Sequence, residues 1–206
     1  IYSLYVYLLY STYEEFLETN FILMDTIPKS VRDNIKRQIY VNKTHYTRYE
    51  YYKLMFQFVF LRKLYAPSID KSKIYAQDHL PISPFIIRNN SYTFVEDGPN
   101  IFSLTRNTKM FIDCLNKKEH ISYFQKIKNN LISRASFGIM ANNKLCKEII
   151  VTTDDTIDYL EGKKITKICE SQQWANASVE KKNNILRIFN ITENDILFLR
   201  RKHIIV

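Results

Sequence analysis

The residues of this chain best suited to chemistry lie in the stretch "YTFVEDGPN", residues 92–100. The segment Tyr-Thr-Phe-Val predicts a buried strand, and two carboxylates, Glu96 and Asp97, follow it directly. Ligands of open α/β sheets bind beyond the carboxyl ends of strands, where a carboxylate can act as a general base. Successive residues of a strand point to opposite faces, so one acid can face a cleft while the other braces the loop.

Gly98, which follows the two acids, is one of only three glycines in 206 residues. A glycine at this point lets the backbone turn sharply or lets a substrate approach closely. Asp-Gly is also a common turn pair, and the alternative that Glu96 and Asp97 are only turn residues stays open.

Several other chemistries do not fit the sequence. The glycines, at positions 98, 138 and 162, are too far apart to form either GxGxxG or GxxxxGK, and no GxSxG, HExxH or Cys/His cluster occurs. The four histidines are isolated in the sequence. Asp154, Asp155 and Asp158 follow a predicted strand, and we interpret them as a turn and helix N-cap rather than a metal site.

The composition is that of a globular protein with 46% hydrophobic residues and a net charge of +9. The positive charge suggests an anionic partner, and nucleic acid, a phosphorylated substrate and an acidic membrane surface are the alternatives. Lysines and arginines are spread along the whole chain, which favours solvated faces over one nucleic-acid groove. Three widely spaced cysteines indicate reduced thiols in a reducing compartment.

Strand and helix patterns alternate along the chain, which predicts an α/β class with a largely parallel sheet. Helical patterns cover residues 1–19, 30–40, 47–66, 102–132 and 178–191. Strand patterns cover residues 20–26, 72–78, 92–95, 147–153 and 164–169. Ser30 and Ser178 are the predicted N-caps of their helices, and Thr192 and Asp195 form a variant of the capping box.

Three stretches of the sequence resemble known glycosyltransferase families. "YTFVEDGPNIF" resembles the strand-to-(D/E)-(D/E)-G motif of several bacterial sialyltransferase families. Residues 146–206 resemble the second half of the N-terminal domain of family 52 glycosyltransferases, and residues 1–28 resemble the start of that domain without its first strand. The matching residues in the later stretch are Lys147, Ile149, Ile150, Val151, Thr152, Trp174, Ser178, Glu180, Lys181, Ile185, Ile188, Phe189 and Ile191.

The resemblance implies a Rossmann-like parallel sheet flanked by helices, the N-terminal half of a B-type glycosyltransferase. Residues 1–190 would form the acceptor-side α/β domain. Residues 191–206 would form the linker and the start of a nucleotide-sugar-binding domain, the rest of which is absent. The His-Pro motif that holds the nucleotide phosphate in the family does not occur in this sequence.

The implied activity is transfer of sialic acid from CMP-sialic acid to a galactose-type acceptor in lipooligosaccharide or capsular polysaccharide. The reaction would invert the anomeric centre and use no metal and no cofactor. By the resemblance, Asp97 is the expected base, Glu96 is the second choice, and Gly98, Pro99 and Asn100 are expected to bind substrate.

The expected partners are a nucleotide-sugar donor and a glycan acceptor, with no nucleic acid. We expect a cytoplasmic enzyme, and peripheral association with an anionic membrane and a homodimer stay open. The alternative function is a basic nucleic-acid-binding domain or a non-catalytic interaction domain.

Overall fold

The computed structural model describes residues 1–24, 27–41, 73–78, 90–98, 144–152 and 162–192, together with Lys53, Ser83, Ile87, Met140, Ala141, Asn194 and Asp195. The chain divides into two compact units. The first unit comprises Ile1, Ser3–His45 and Glu170–Val206, and the second comprises Tyr2 and Tyr46–Cys169. The predicted domain boundary after residue 190 stays a prediction.

The first unit combines short helices with a two-stranded parallel sheet. Its elements are α1 (Tyr2–Tyr10, of which Tyr2 belongs to the second unit), α2 (Tyr13–Glu18), β1 (Phe21–Met24), α3 (Lys29–Arg32), β2 (Gln38–Val41), α4 (Glu170–Asn176) and α5 (Val179–Ile188). Strands β1 and β2 pair in parallel, with Phe21 opposite Gln38 and Met24 opposite Val41. The strand predicted at residues 20–26 is therefore confirmed.

The single helix predicted for residues 1–19 is wrong, because the chain forms two helices there. Thr12 is the N-cap of α2. Its hydroxyl accepts a hydrogen bond from the Glu15 N–H at 3.1 Å, and the Glu15 carboxylate accepts one from the Thr12 N–H at 3.2 Å. This reciprocal capping box starts a second helix at Tyr13. The apolar pattern continues across this point and therefore predicts one helix where the structure has two.

The helix predicted for residues 30–40 is wrong beyond its first turn. Helix α3 ends at Arg32, its N-cap is Pro28 rather than Ser30, and Gln38–Val41 form β2. The Asn34 side-chain amide donates to the Ser30 carbonyl at 2.9 Å, so a side chain takes the place of the next helical N–H. Pairing with β1 then favours an extended backbone for a segment rich in β-branched and aromatic residues.

The second unit contains a four-stranded sheet in which every pairing is parallel. Its strands are β3 (Tyr75–Ala76), β4 (Tyr92–Val95), β5 (Cys146–Val151) and β6 (Lys164–Lys167), in the order β3-β4-β5-β6. Each of these strands lies within a segment predicted from the sequence or overlaps most of it. The α/β class with a parallel sheet is therefore confirmed, and the carboxyl ends of all four strands share one edge.

Among the described residues of the second unit, a buried core cluster lies around the two central strands. Phe94 of β4 and Ile149 of β5 are fully buried, and Ile87 packs in the same cluster. The remaining buried members of this cluster are Ile74, Tyr92, Ala141, Cys146 and Val151. All four residues of β4 and the last three of β5 are buried, which places side chains of both faces of these segments in the core.

The helices predicted at residues 47–66 and 102–132 lie outside the described residues, apart from Lys53. Within the residues that the structure describes, no helix combines the length and the apolar character that crossing a membrane requires.

Helix α5 matches its prediction closely. The Ser178 hydroxyl accepts a hydrogen bond from the Lys181 N–H at 3.1 Å, which confirms Ser178 as N-cap. The reciprocal bonds between Thr192 and Asp195 are also present, with the Thr192 N–H donating to the carboxylate at 2.8 Å and the Asp195 N–H donating to the hydroxyl at 3.3 Å. Ile185 and Ile188 of α5 are buried within the first unit.

The Lys181 ammonium joins α5 to the end of α1. It donates to the carbonyls of Leu9 at 2.8 Å and Ser11 at 2.6 Å, which lie where a helix leaves carbonyl groups without helical partners. A cation at a helix C-terminus also interacts favourably with the helix dipole. Burial lowers the pKa of Lys181, as expected for an ammonium that is partly withdrawn from water.

We expect Lys181→Met to destabilise the first unit by about 1–2 kcal/mol, because two carbonyls lose a charged donor. Urea unfolding followed by fluorescence of Trp174, the single tryptophan, measures the loss. The matched control is Lys182→Met, whose ammonium makes an exposed hydrogen bond to Ala175 O at 3.0 Å. Equal effects of the two substitutions would contradict the capping role.

Glu148 joins β5 to β6 across the sheet. Its carboxylate accepts hydrogen bonds from the Lys164 ammonium at 2.7 Å and the Thr166 hydroxyl at 2.6 Å. Burial acts to raise the pKa of Glu148, but the hydrogen bonds from Lys164 and Thr166 and the lysine charges outweigh it and lower that pKa below its ordinary value of 4.5.

We expect Glu148→Gln to lower stability by about 1 kcal/mol at pH 7. Because the folded pKa lies below the unfolded one, the unfolded chain binds more protons as pH falls, and the contribution of Glu148 decreases. It is complete above about pH 4.5 and is lost as pH falls through the lowered pKa. Urea midpoints of both proteins at pH 7 and pH 3 should therefore converge at the lower pH, and an unchanged gap would contradict this account.

Candidate active site at the carboxyl edge of the parallel sheet

Glu96, Asp97 and Gly98 directly follow β4 at the shared carboxyl edge. Glu96 is 3% exposed, Asp97 is half-buried and Gly98 is buried. The Glu96 N–H donates to the Ile150 carbonyl at 3.0 Å, so the pairing of β4 with β5 extends one residue beyond β4. The first acid is thus fixed by the sheet itself.

The Glu96 carboxylate ties the ends of the two central strands together. Its Oε2 accepts from the Thr152 N–H at 2.5 Å and from the Thr152 hydroxyl at 2.8 Å. Tyr2 Oη lies 2.7 Å from Thr152 Oγ1. Since Thr152 donates its only hydroxyl proton to Glu96, the Tyr2 hydroxyl is the donor in that contact. A three-residue chain of hydrogen bonds therefore ends on a buried carboxylate.

The two acids occupy different environments. Glu96 is buried and braced against the end of β5, whereas Asp97 keeps part of its surface in water. A carboxylate that removes a proton from a substrate hydroxyl must come within hydrogen-bond reach of that oxygen, and a partly exposed side chain allows this. The geometry therefore assigns bracing to Glu96, while the role of Asp97 as base stays a prediction.

Gly98 is required by the backbone rather than by lack of space. Its φ is +74°, a conformation that L side chains rarely adopt. An added Cβ would lie 4.0 Å from Tyr2 Cδ1, which is ordinary van der Waals contact. The turn at Gly98 thus sets the direction in which the chain leaves Asp97.

Asp78 is a second acid beyond a strand of the same sheet, and it was missed in the sequence. It lies two residues after β3, is 8% exposed, and accepts hydrogen bonds from the Tyr92 hydroxyl at 2.5 Å and the Ala141 N–H at 3.0 and 3.2 Å. An acid close to the end of a strand was the available signal, but the prediction included Asp78 in the strand.

The surroundings of Asp78 suppress ionisation of its neighbours. Burial, followed by the charge of Asp78, raises the pKa of Tyr92 far above its usual range. Burial also raises the pKa of the Cys146 thiol to about 11. A thiol that stays protonated at neutral pH is a poor nucleophile, so Cys146 acts as a core residue.

Pro99 and Asn100, the other two residues predicted to bind substrate, lie outside the described residues, as do Asp154, Asp155 and Asp158. Across the described ranges, no group of three His, Cys, Asp or Glu side chains could hold a metal ion.

Comparison with known protein families, curated proteins and solved structures finds no match to this chain.

We expect Glu96→Ala to destabilise the second unit by about 2–3 kcal/mol, because it removes a charged acceptor from two donors in a largely buried site. Thr152→Val removes only the hydroxyl and should cost about 1 kcal/mol. Urea unfolding of both variants and of the double variant measures the coupling between them. Strictly additive losses would contradict the brace.

Proposed function

We propose that this chain is the acceptor-side part of a glycosyltransferase that moves sialic acid from CMP-sialic acid to a galactose-type hydroxyl. The observation that supports the proposal is that two adjacent acids at the sheet edge have different environments. Glu96 is buried and bound to Thr152, while its neighbour Asp97 is left half-buried on a loop turned by Gly98. The parallel sheet supports the further proposal of a Rossmann-like domain, the N-terminal half of a B-type enzyme.

In the proposed reaction the acceptor hydroxyl oxygen attacks the anomeric carbon of the sialyl group. A carbon–oxygen bond forms, the bond from that carbon to the phosphate oxygen breaks, and CMP leaves with the electron pair. Asp97 takes the proton of the attacking hydroxyl, which keeps that oxygen nucleophilic as positive charge develops on the sugar. Attack from the face opposite the leaving group gives inversion.

The Glu96–Thr152 contact supports this role for Asp97 because a base acts only when it is held in place. A misplacement of about 1 Å can reduce a rate by about a hundredfold. The Glu96 N–H donates to the Ile150 carbonyl of β5, and the Glu96 carboxylate accepts from Thr152. These two contacts hold the backbone just before Asp97 in place. Glu96 is therefore proposed as a positioning residue for the base.

The donor and the product are anions, and the net charge of +9 is compatible with binding them. The sequence contains no His-Pro pair, so the proposal assigns no residue of this chain to the nucleotide phosphate.

We expect Asp97→Asn to reduce sialyl transfer by at least about 100-fold, because the amide cannot accept the hydroxyl proton. The assay follows CMP release by the protein with CMP-sialic acid and lactose as acceptor. Circular dichroism should show an unchanged fold, since Asp97 is only half-buried. Asp33→Asn, at an exposed acid after α3, is the control for a charge change elsewhere.

A matched pair of glycines separates backbone strain from positioning of the base. Gly98 has φ +74° and Gly162 has φ +78°, so alanine at either position should cost roughly 1–2 kcal/mol through strain. Only Gly98→Ala should also slow transfer. Normal turnover by Asp97→Asn would overturn the proposal, and salt-sensitive oligonucleotide binding without any transfer would favour a nucleic-acid-binding domain instead.

A further inference from the structure

A cleft of about 680 Å³ opens on the surface of the first unit. Its walls come from α2, the start of β1, the segment between α3 and β2, and one face of α5. Residues 180, 183, 184 and 187 of α5 line it at the i, i+3, i+4, i+7 spacing of a helix face. Its volume lies within the range of small-molecule sites.

Three apolar lining residues, Phe16, Phe21 and Ile35, are buried, and we call them the floor of the cleft. Phe16 and Phe21 line it, both are buried, and their ring centroids lie 5.5 Å apart at an angle of 48°. Ile35 is 2% exposed and lines it as well. The half-buried ring of Tyr13 lies at the same cleft. An apolar group bound here would displace water from preformed hydrophobic surface.

The charged groups of the cleft are unbalanced. Among the described residues that line the cleft, Lys36, Arg37 and Arg187 contribute three positive charges and Glu180 contributes one negative charge. The excess of two positive charges lies beside an apolar floor, which strengthens attraction for an anion because nearby low-dielectric surface reduces screening.

Two of the three cations are held in position by the fold. Arg187 donates to the side-chain oxygen of Asn184 at 2.7 Å, and Asn184 is only 7% exposed. Arg37 donates to the Glu18 carbonyl at 3.2 Å. Each of these bonds uses one of the five N–H groups of a guanidinium. The remaining N–H groups are therefore already oriented, and binding a ligand through them costs little further side-chain entropy.

The cleft also has a fixed wall at Arg187. The Asn34 side-chain amide donates to the Arg187 carbonyl at 2.8 Å and to the Ser30 carbonyl at 2.9 Å. It therefore joins the last turn of α5 to the segment that carries Lys36 and Arg37. The backbone segments that carry the three cations are therefore joined, while only the Arg37 and Arg187 side chains are themselves held by hydrogen bonds.

We propose that this cleft binds an organic phosphate monoester whose apolar group, such as an aromatic ring, rests on Phe16, Phe21 and Ile35. Two excess positive charges match the dianion, and guanidinium forks match phosphate oxygens geometrically. This inference is independent of the proposed sialyl transfer, since every residue it uses belongs to the first unit.

Titration of the isotope-labelled chain with four probes tests the class of ligand. Phenyl phosphate carries both the dianion and the ring, inorganic phosphate lacks the ring, benzoate has one charge, and phenol has none. We expect phenyl phosphate to bind with a Kd of about 1 mM or tighter and the other three to bind at least about fivefold more weakly. Amide signals of Ile35 and Val179, which line the cleft, should shift.

Matched lysine variants test the location. Lys36→Gln should weaken phenyl phosphate binding about three- to fivefold, as expected for an exposed charge. Lys29→Gln, which removes an exposed lysine of the same unit outside the lining, should leave the Kd unchanged. Arg187→Lys keeps the charge but loses the fork and should weaken binding about tenfold.

Raising the salt concentration should weaken the binding of phenyl phosphate and leave that of phenol unchanged. The proposal is overturned if phenyl phosphate fails to saturate the shifts below about 10 mM. It is equally overturned if inorganic phosphate or benzoate binds as tightly, or if Lys29→Gln weakens binding as much as Lys36→Gln does.

Discussion

Burial of the Glu96 carboxylate at the end of the central strand pair constrains the described residues around it in the second unit. A charge withdrawn from water must be compensated by hydrogen bonds, and Thr152 supplies two of them from the end of the neighbouring strand. The bonds form only if β4 and β5 end at the same level, as their register of Val95 opposite Ile150 allows. The carboxylate therefore fixes the strand register, the start of the loop, and through both the position of Asp97.

Three other buried or half-buried charges in the described residues follow the same rule with different partners. Asp78 is satisfied by a tyrosine hydroxyl and a backbone N–H, Glu148 by a lysine and a threonine, and Lys181 by two carbonyls. Each of these contacts joins segments that are distant in sequence. Removing one partner leaves the other without compensation, which is why such groups specify how elements meet more than they add to net stability.

The parts of the fold that the sequence predicted are those set by local pattern. Strands β4, β5 and β6 read as short apolar or β-branched runs, and Ser178 reads as a cap, because pattern and capping act within a few residues. Strand β2 was predicted as helix because its extended backbone depends on pairing with β1, which no local pattern shows. The break before α2 had a local signal, the Thr12–Glu15 capping box, that the apolar periodicity concealed. At the candidate site, the sequence alone reveals the Glu96–Asp97–Gly98 motif. It does not reveal the hydrogen-bond partners of the acids, because Thr152 lies 56 residues from Glu96 and Tyr92 lies 14 residues from Asp78.

The net charge of +9 does not by itself locate a ligand site, because several of the cations have structural partners. Lys164 pairs with Glu148, Lys163 donates to the Cys146 carbonyl at 3.1 Å, and Lys181 caps α1, so these cations have structural roles. Counting them as attraction for a ligand overstates the charge available to bind one. Cations indicate an anion site where they converge on concave surface with an apolar floor and are oriented by the fold, as Arg187 and Arg37 are. By that criterion the cleft of the first unit, rather than the overall charge, is the reason to expect an anionic ligand.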